Sequence, residues 1–109
     1  MNRSYSLTRA EIVDVIKNGK PLHSLAFTMK TVSGESIKNI KIAFIAPKKI
    51  FPTAVLRNKA KRRAKEIVRK LLRDFKNAKY VFLLKKQAVE MDTKTLTEAF
   101  INGISLRKF

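Results

Sequence analysis

The sequence contains no cysteine and only one histidine, His23. Without cysteine the chain can form neither a disulfide nor a thiolate metal site, and one histidine cannot build a zinc site by itself. Asp and Glu together number 8, which is too few for the two-metal site that phosphodiester hydrolysis commonly uses. No Ser/His/Asp set is evident either. We therefore expect no catalytic residue and no metal held by protein side chains alone, with His23 at a strand end or on the surface.

Long apolar runs are also missing. No window approaches the roughly 20 consecutive apolar residues that a membrane-spanning helix needs. The first residues, Met-Asn-Arg-Ser-Tyr-Ser, lack the apolar core of a signal peptide. We expect a cytoplasmic protein with no membrane partner.

Positive charge is abundant. The 109 residues include 25 Lys and Arg, which gives a formal net charge of +17. Hydrophobic residues make up 45% of the chain, so a packed core is expected, and the length fits one domain over residues 1–109. Such an excess of charge predicts a large anionic partner. Nucleic acid is favoured over an anionic membrane surface, because neutralising phosphates releases their counterions.

The first half of the chain predicts one helix followed by strands. Thr8 and Glu11 have capping-box spacing, so a helix begins after Thr8, and it ends near Asn18, where Gly19 tolerates a left-handed stop. Residues 22–32 and 37–46 are typical of strands, with a turn at 33–36, which predicts a hairpin or meander. In the second strand Ile40, Ile42 and Phe44 share the face expected to be core.

The second half predicts a long helix, a buried strand and a last helix. Thr53 can cap the longest helix, which runs to about Lys76. Its sheet-facing stripe is expected to contain Leu56, Ala60, Ala64, Ile67, Leu71 and Phe75. The run 80–84 is apolar on both sides and suits a central strand. Asp92 can cap the last helix, whose buried stripe is expected to contain Leu96, Phe100 and Ile104. The order α-β-β-β-α-β-α predicts an α+β fold, a two-layer sandwich of helices on a mixed sheet.

The outward surface of the long helix is almost entirely Arg and Lys. A helix that is merely solvent-exposed is the alternative reading, but such a helix usually mixes charges of both signs, since like charges at one-turn spacing destabilise it. Residues 57–67 read R-N-K-A-K-R-R-A-K-E-I. This segment resembles the signature R-N-R-x-K-R-x-x-R of the ribonuclease P protein family, with Lys59 and Lys65 in place of arginine. The residues expected to bind RNA are Arg57, Asn58, Lys59, Lys61, Arg62, Lys65 and Arg69.

The resemblance extends along nearly the whole chain. The opening helix that ends at Gly19, the strand that ends in Ala-Pro-Lys-Lys, and the run 80–84 followed by two lysines occur in family order. It implies that a left-handed crossover joins the parallel strands around the long helix. It also implies that the opening helix and one sheet face form a cleft for the single-stranded 5′ leader of precursor tRNA, while the basic helix meets the catalytic RNA.

The residues expected to line the leader cleft are aliphatic, aromatic and basic. The expected set is Ile12, Ile16, Phe27, Lys48, Lys49, Lys85 and Lys86. Many family members place aromatic rings on the opening helix, where stacking contributes about 1–3 kcal/mol per base. Here Ile12 and Ile16 cannot stack, so either the grip on the leader is weaker or Phe27 supplies the ring. For all three residues the alternative is a place in the core. Lys30 is expected on the opposite face of its strand from Phe27.

The resemblance therefore implies a noncatalytic, monomeric protein subunit of ribonuclease P, partnered by ribonuclease P RNA and precursor tRNA. Hydrolysis of the leader would use Mg²⁺ held mainly by the RNA, and the lone chain is expected to be inactive. A structural RNA-binding protein, such as a ribosome component, is the alternative. A stand-alone nuclease is a third reading.

Overall fold

The computed structural model describes the backbone of residues 5–106 and the side chains of residues 5–104. The elements in chain order are α1 Arg9–Asn18, β1 Lys20–His23, β2 Phe27–Val32, β3 Lys41–Ile45, α2 Ala54–Leu71, a 3₁₀ turn Leu72–Asp74, β4 Lys79–Leu84, α3 Gln87–Glu90 and α4 Thr93–Leu106. This confirms the α+β class and the predicted order, to which the structure adds the short α3. No helix within the described residues is long and apolar enough to cross a membrane.

The four strands form one mixed sheet in the order β1-β2-β4-β3. β4 pairs antiparallel with β2 and parallel with β3, which confirms that the run 80–84 is a central strand. The predicted hairpin or meander of 22–32 with 37–46 is wrong. The predicted strand 22–32 is interrupted at residues 24–26, and its two parts belong to β1 and β2, which form a hairpin with each other. β4 lies between β2 and β3 in the sheet. A strand that is apolar on both faces is stabilised by this central position.

One face of the sheet carries the core. Phe82 of β4 lies at its centre, with ring centroids 5.3 Å from Phe27 and 5.4 Å from both Phe44 and Phe100. α2 and α4 pack on this face as predicted; their residues in the core are Ala60, Ala64, Ile67, Val68, Leu96 and Phe100. Leu56, which is predicted in the stripe, is instead 36% exposed. It lies in the first turn of α2 and does not belong to the core.

The other face of the sheet carries α1. Lys30 and Lys79 alternate with the core residues Met29 and Tyr80, so their side chains leave the opposite face. Lys30 Nζ donates to the Ile16 carbonyl oxygen at 2.7 Å, and Lys79 Nζ lies 3.2 Å from Glu11 Oε2. These two contacts fix α1 across β2 and β4.

The two ends of α1 are built differently. The capping box is confirmed, since the Thr8 backbone N–H donates to Glu11 Oε1 at 2.9 Å and the Glu11 N–H donates to Thr8 Oγ1 at 3.2 Å. The Thr8 N–H and, after it, the Lys79 ammonium lower the pKa of Glu11. The left-handed stop is wrong, because Gly19 is extended, with φ −73° and ψ 152°. Glycine is needed there for close approach: a Cβ would lie 2.4 Å from the Val15 carbonyl oxygen and 3.1 Å from the Thr31 nitrogen.

We expect Gly19→Ala to lower the free energy of unfolding by about 1–3 kcal/mol, because the added methyl meets backbone atoms that cannot rotate away. Gly34→Ala is the matched control, since nothing lies within 4 Å of its Cβ position and its φ is not positive. That change should leave stability unaltered or raise it by about 0.5 kcal/mol. Urea unfolding followed by circular dichroism measures both, and equal stabilities for the two variants would refute this role of Gly19.

Candidate nucleic-acid interface

The outward face of α2 keeps most of its charge unneutralised. Lys59, Arg62 and Lys65 are exposed and form no hydrogen bond or ion pair with any part of the chain that the structure describes. Asn58 is exposed beside them. The one acidic residue of α2 is Glu66, which pairs with Arg69 at 2.5 Å, and that hydrogen bond lowers the pKa of the Glu66 carboxyl. Arg69 is therefore the one predicted RNA contact whose charge is locally offset.

Two arginines of α2 donate hydrogen bonds to backbone carbonyls of other segments. Arg57, predicted to bind RNA, is half-buried, and its Nη1 donates to the carbonyl oxygens of Phe51 at 3.0 Å and Pro52 at 3.3 Å. Arg63, which the sequence did not distinguish from its neighbours, donates to three carbonyl oxygens around the end of α3, those of Ala88, Val89 and Met91. Arg57 thus anchors the loop before α2, and Arg63 ties α2 to α3.

We expect Arg63→Ala to lower the free energy of unfolding by about 2 kcal/mol, because it leaves three partly buried carbonyls without their charged donor. Arg62→Ala, at the adjacent exposed position, should change stability by less than about 0.5 kcal/mol. The effects on RNA binding should have the reverse order: Arg62→Ala should reduce the salt dependence of RNA affinity more than Arg63→Ala does. Equal stabilities in urea unfolding would contradict this division of roles.

The side of the sheet under α1 has a half-exposed strip beside the helix. The strip is formed by Thr28, Leu83 and Ile45, which the strand register places in one row. At about 100° per residue, Ile12 and Ile16 lie on the flank of α1 turned away from Glu11 and its Lys79 contact. Both are half-buried, and neither belongs to the core on the opposite face. This strip and this flank of α1 are the candidate cleft.

Phe27 does not line the cleft. It is 0% exposed, and its ring stacks on Phe100 with centroids 4.5 Å apart, on the core face. The cleft prediction for Phe27 is therefore wrong, and its core alternative is right, because strand alternation places it on the same side as Met29. Lys30 is on the opposite face from Phe27, as predicted, and this is the face that carries α1.

The four lysines of the predicted cleft lie at the sheet end where the parallel strands β3 and β4 both stop. Lys48 and Lys49 are exposed in the turn after β3. Lys85 is half-buried, and its Nζ donates to the Ser24 carbonyl oxygen at 2.7 Å, so it ties β4 to the β1–β2 turn. Lys86 is exposed and lies 3.6 Å from Glu90. Lys48 and Lys49 are thus the more available pair for an anion.

His23 lies apart from any metal-ligand cluster among the residues that the structure describes. His23 is exposed at the end of β1, as expected, with Nδ1 3.2 Å from Thr28 Oγ1. Within the described residues, no group of three or more His, Asp or Glu side chains could hold a metal ion. The described surface thus offers cations and the half-exposed strip of Thr28, Leu83 and Ile45, which are features for binding.

The architecture of the chain matches solved structures of known proteins. The chain has the fold of bacterial RNase P proteins. It superimposes on the RNase P protein of Staphylococcus aureus with a TM-score of 0.82 and 21% identity, covering 95% of each chain. It superimposes on that of Thermotoga maritima with a TM-score of 0.83 and 24% identity, covering 95% of this chain and 98% of the other.

The sequence itself gives the family. The Ribonuclease P family model matches residues 1–106, and the chain belongs to that family. A search of curated protein sequences found no match.

Proposed function

We propose that this chain is the protein subunit of a ribonuclease P whose RNA subunit cleaves the 5′ leader from precursor tRNA. The family match supports the enzyme, and the observation that carries the binding role is the outward face of α2. Its cations are held over two fully buried alanines, Ala60 and Ala64, and only Glu66 offsets them within the helix. Docking on folded RNA would convert this charge into binding free energy by releasing counterions.

The candidate cleft supports a second contact, with the single-stranded leader. Apart from Thr28, its floor and wall are aliphatic and carry no aromatic ring, so apolar contact replaces base stacking there, while Lys48 and Lys49 at the sheet end can contact leader phosphates. Recognition of this kind depends on the backbone of the leader and discriminates little between bases. We infer a general grip on leaders in place of a sequence-selective one.

In this proposal the protein supplies position and charge. It screens repulsion between the catalytic RNA and the precursor, and Mg²⁺ is held mainly by RNA phosphates. One copy of the chain acts in each complex, in the cytoplasm. Lys59 and Lys65 contribute charge without the planar fork with which arginine grips a phosphate.

Reconstitution tests the proposal. A ribonuclease P RNA is incubated with precursor tRNA at low Mg²⁺, with and without the purified chain. We expect the chain to stimulate cleavage to the mature 5′ end, and the chain alone to cleave nothing. Absence of stimulation, with the chain still binding RNA, would favour a structural RNA-binding protein such as a ribosome component. Cleavage by the chain without RNA would favour a nuclease.

A further inference from the structure

The outer edge of β3 borders a groove that lies beside the outward face of α2. β3 is the last strand of the sheet, and among the described residues only Ser6 pairs beyond it, through a parallel bridge to Ile42. A groove of about 180 Å³ opens there between residues 5–7, β3 and α2. We call it the β3-edge groove; its lining residues are Tyr5, Ser6, Leu7, Ile42, Ala43, Phe44, Lys61 and Lys65.

The groove combines a ring with two cations. Tyr5 and Leu7 are half-buried on the side of the amino-terminal segment. Lys61 and Lys65 stand one turn apart on α2, and neither makes a hydrogen bond or ion pair with the residues that the structure describes. No carboxylate is among the lining residues, so nothing in the groove neutralises the two ammonium groups.

These groups match the two parts of a nucleotide. Paired ammonium groups attract a phosphate, and an aromatic ring accepts the face of any base. An acidic peptide paired along the strand edge would use the lysines but would gain little from the ring. The other tyrosine, Tyr80, and the phenylalanines of residues 5–104 are buried. Tyr5 is therefore the phenol or phenyl ring that RNA can reach in that part of the chain.

We propose that the β3-edge groove binds one unstacked nucleotide of RNA, with its base against Tyr5 and its phosphate between Lys61 and Lys65. The site rests on the proposed function in one respect, that RNA docks on α2. It extends the contact from the outward face of that helix around to the edge of the sheet. The nucleotide can come from the catalytic RNA or from the precursor tRNA.

The chain offers a direct optical test. It contains no tryptophan and two tyrosines, and Tyr80 is 3% exposed, so quenching of tyrosine emission by a bound base reports on Tyr5. The probes are hexauridylate and a hexamer of abasic ribose phosphate with the same charge. We expect hexauridylate to quench the emission and the abasic hexamer to leave it nearly unchanged.

Affinities of labelled hexamers, measured by anisotropy, complete the test. Tyr5→Ala should bind hexauridylate about tenfold more weakly and the abasic hexamer as well as the parent does, while Tyr5→Phe should bind both normally. Lys61→Ala should weaken both hexamers. Leu25→Ala is the control, because Leu25 is 71% exposed at the β1–β2 turn, and it should change neither affinity.

The site is wrong if Tyr5→Ala binds hexauridylate as tightly as the parent chain does, or if the abasic hexamer quenches equally. The Tyr5→Ala measurement is then repeated with ribonuclease P RNA and with leader-bearing precursor tRNA. The RNA whose affinity falls is the source of the nucleotide. Loss of affinity for neither RNA would overturn the site while leaving the proposed function intact. A parent chain that fails to stimulate cleavage would overturn the proposed function, whatever the hexamers show.

Discussion

Replacing Lys59, Arg62 and Lys65 together by alanine is expected to weaken binding to ribonuclease P RNA roughly 100-fold at low salt, taking about 1 kcal/mol for each exposed charge contact. The slope of log K against log salt should become shallower by about 2 to 3 units, because each lost phosphate contact removes about 0.7 to 0.9 of a unit. Stability should hardly change, since these three side chains contact no partner in the described structure. Filter binding between about 50 and 200 mM salt measures the slope.

A matched variant separates position from total charge. Lys17, Lys38 and Lys94 are also exposed, and they lie on α1, in the loop before β3 and at the start of α4. Replacing these three by alanine removes the same net charge and should shift the slope by less than about 1 unit. If both triple variants lose affinity and slope equally, the RNA senses overall charge and not the face of α2.

Phe82→Ala is expected to lower the free energy of unfolding by about 3–5 kcal/mol, because it removes the ring against which Phe27, Phe44 and Phe100 pack and leaves a cavity at the centre of the sheet. That loss is a large part of the roughly 5–15 kcal/mol that holds a domain together. Urea unfolding followed by circular dichroism measures it.

The control for Phe82 is Ile101→Ala. Ile101 lies on α4, which also carries Phe100, but it is 42% exposed, and its truncation should cost less than about 1 kcal/mol. Phe82→Leu should lose less than Phe82→Ala, since it fills part of the cavity. A loss below about 1 kcal/mol for Phe82→Ala would show that the core is organised elsewhere.

The features that the sequence predicted correctly have local causes. The capping box of Thr8 and Glu11 depends on four consecutive residues, and it sets the start of α1 whatever the rest of the chain does. Ala60 and Ala64 of α2 are both fully buried, because the spacing of one turn places them on one side of a helix. The run 80–84 is apolar on both faces, so it could be recognised as central without knowing its neighbours.

The features that the sequence missed depend on contacts between distant segments. Nothing between residues 22 and 46 indicates that β4, nearly forty residues later, separates β2 from β3. Phe27 could be placed only once α4 was known to cover its face of the sheet. Arg63 looks like any other cation of α2, because its partners are backbone carbonyls around α3, a four-residue helix with no sequence pattern of its own. The division between structural and available cations therefore required the structure.

Lysine footprinting tests the central claim most directly. The chain is treated with an acetylating reagent, free and in complex with ribonuclease P RNA, and the modification of each lysine is read by mass spectrometry. The account predicts strong protection of Lys59, Lys61 and Lys65 and little protection of Lys17, Lys38 and Lys94. Equal protection of the two groups, or protection of the second group alone, would contradict the docking of RNA on the outward face of α2.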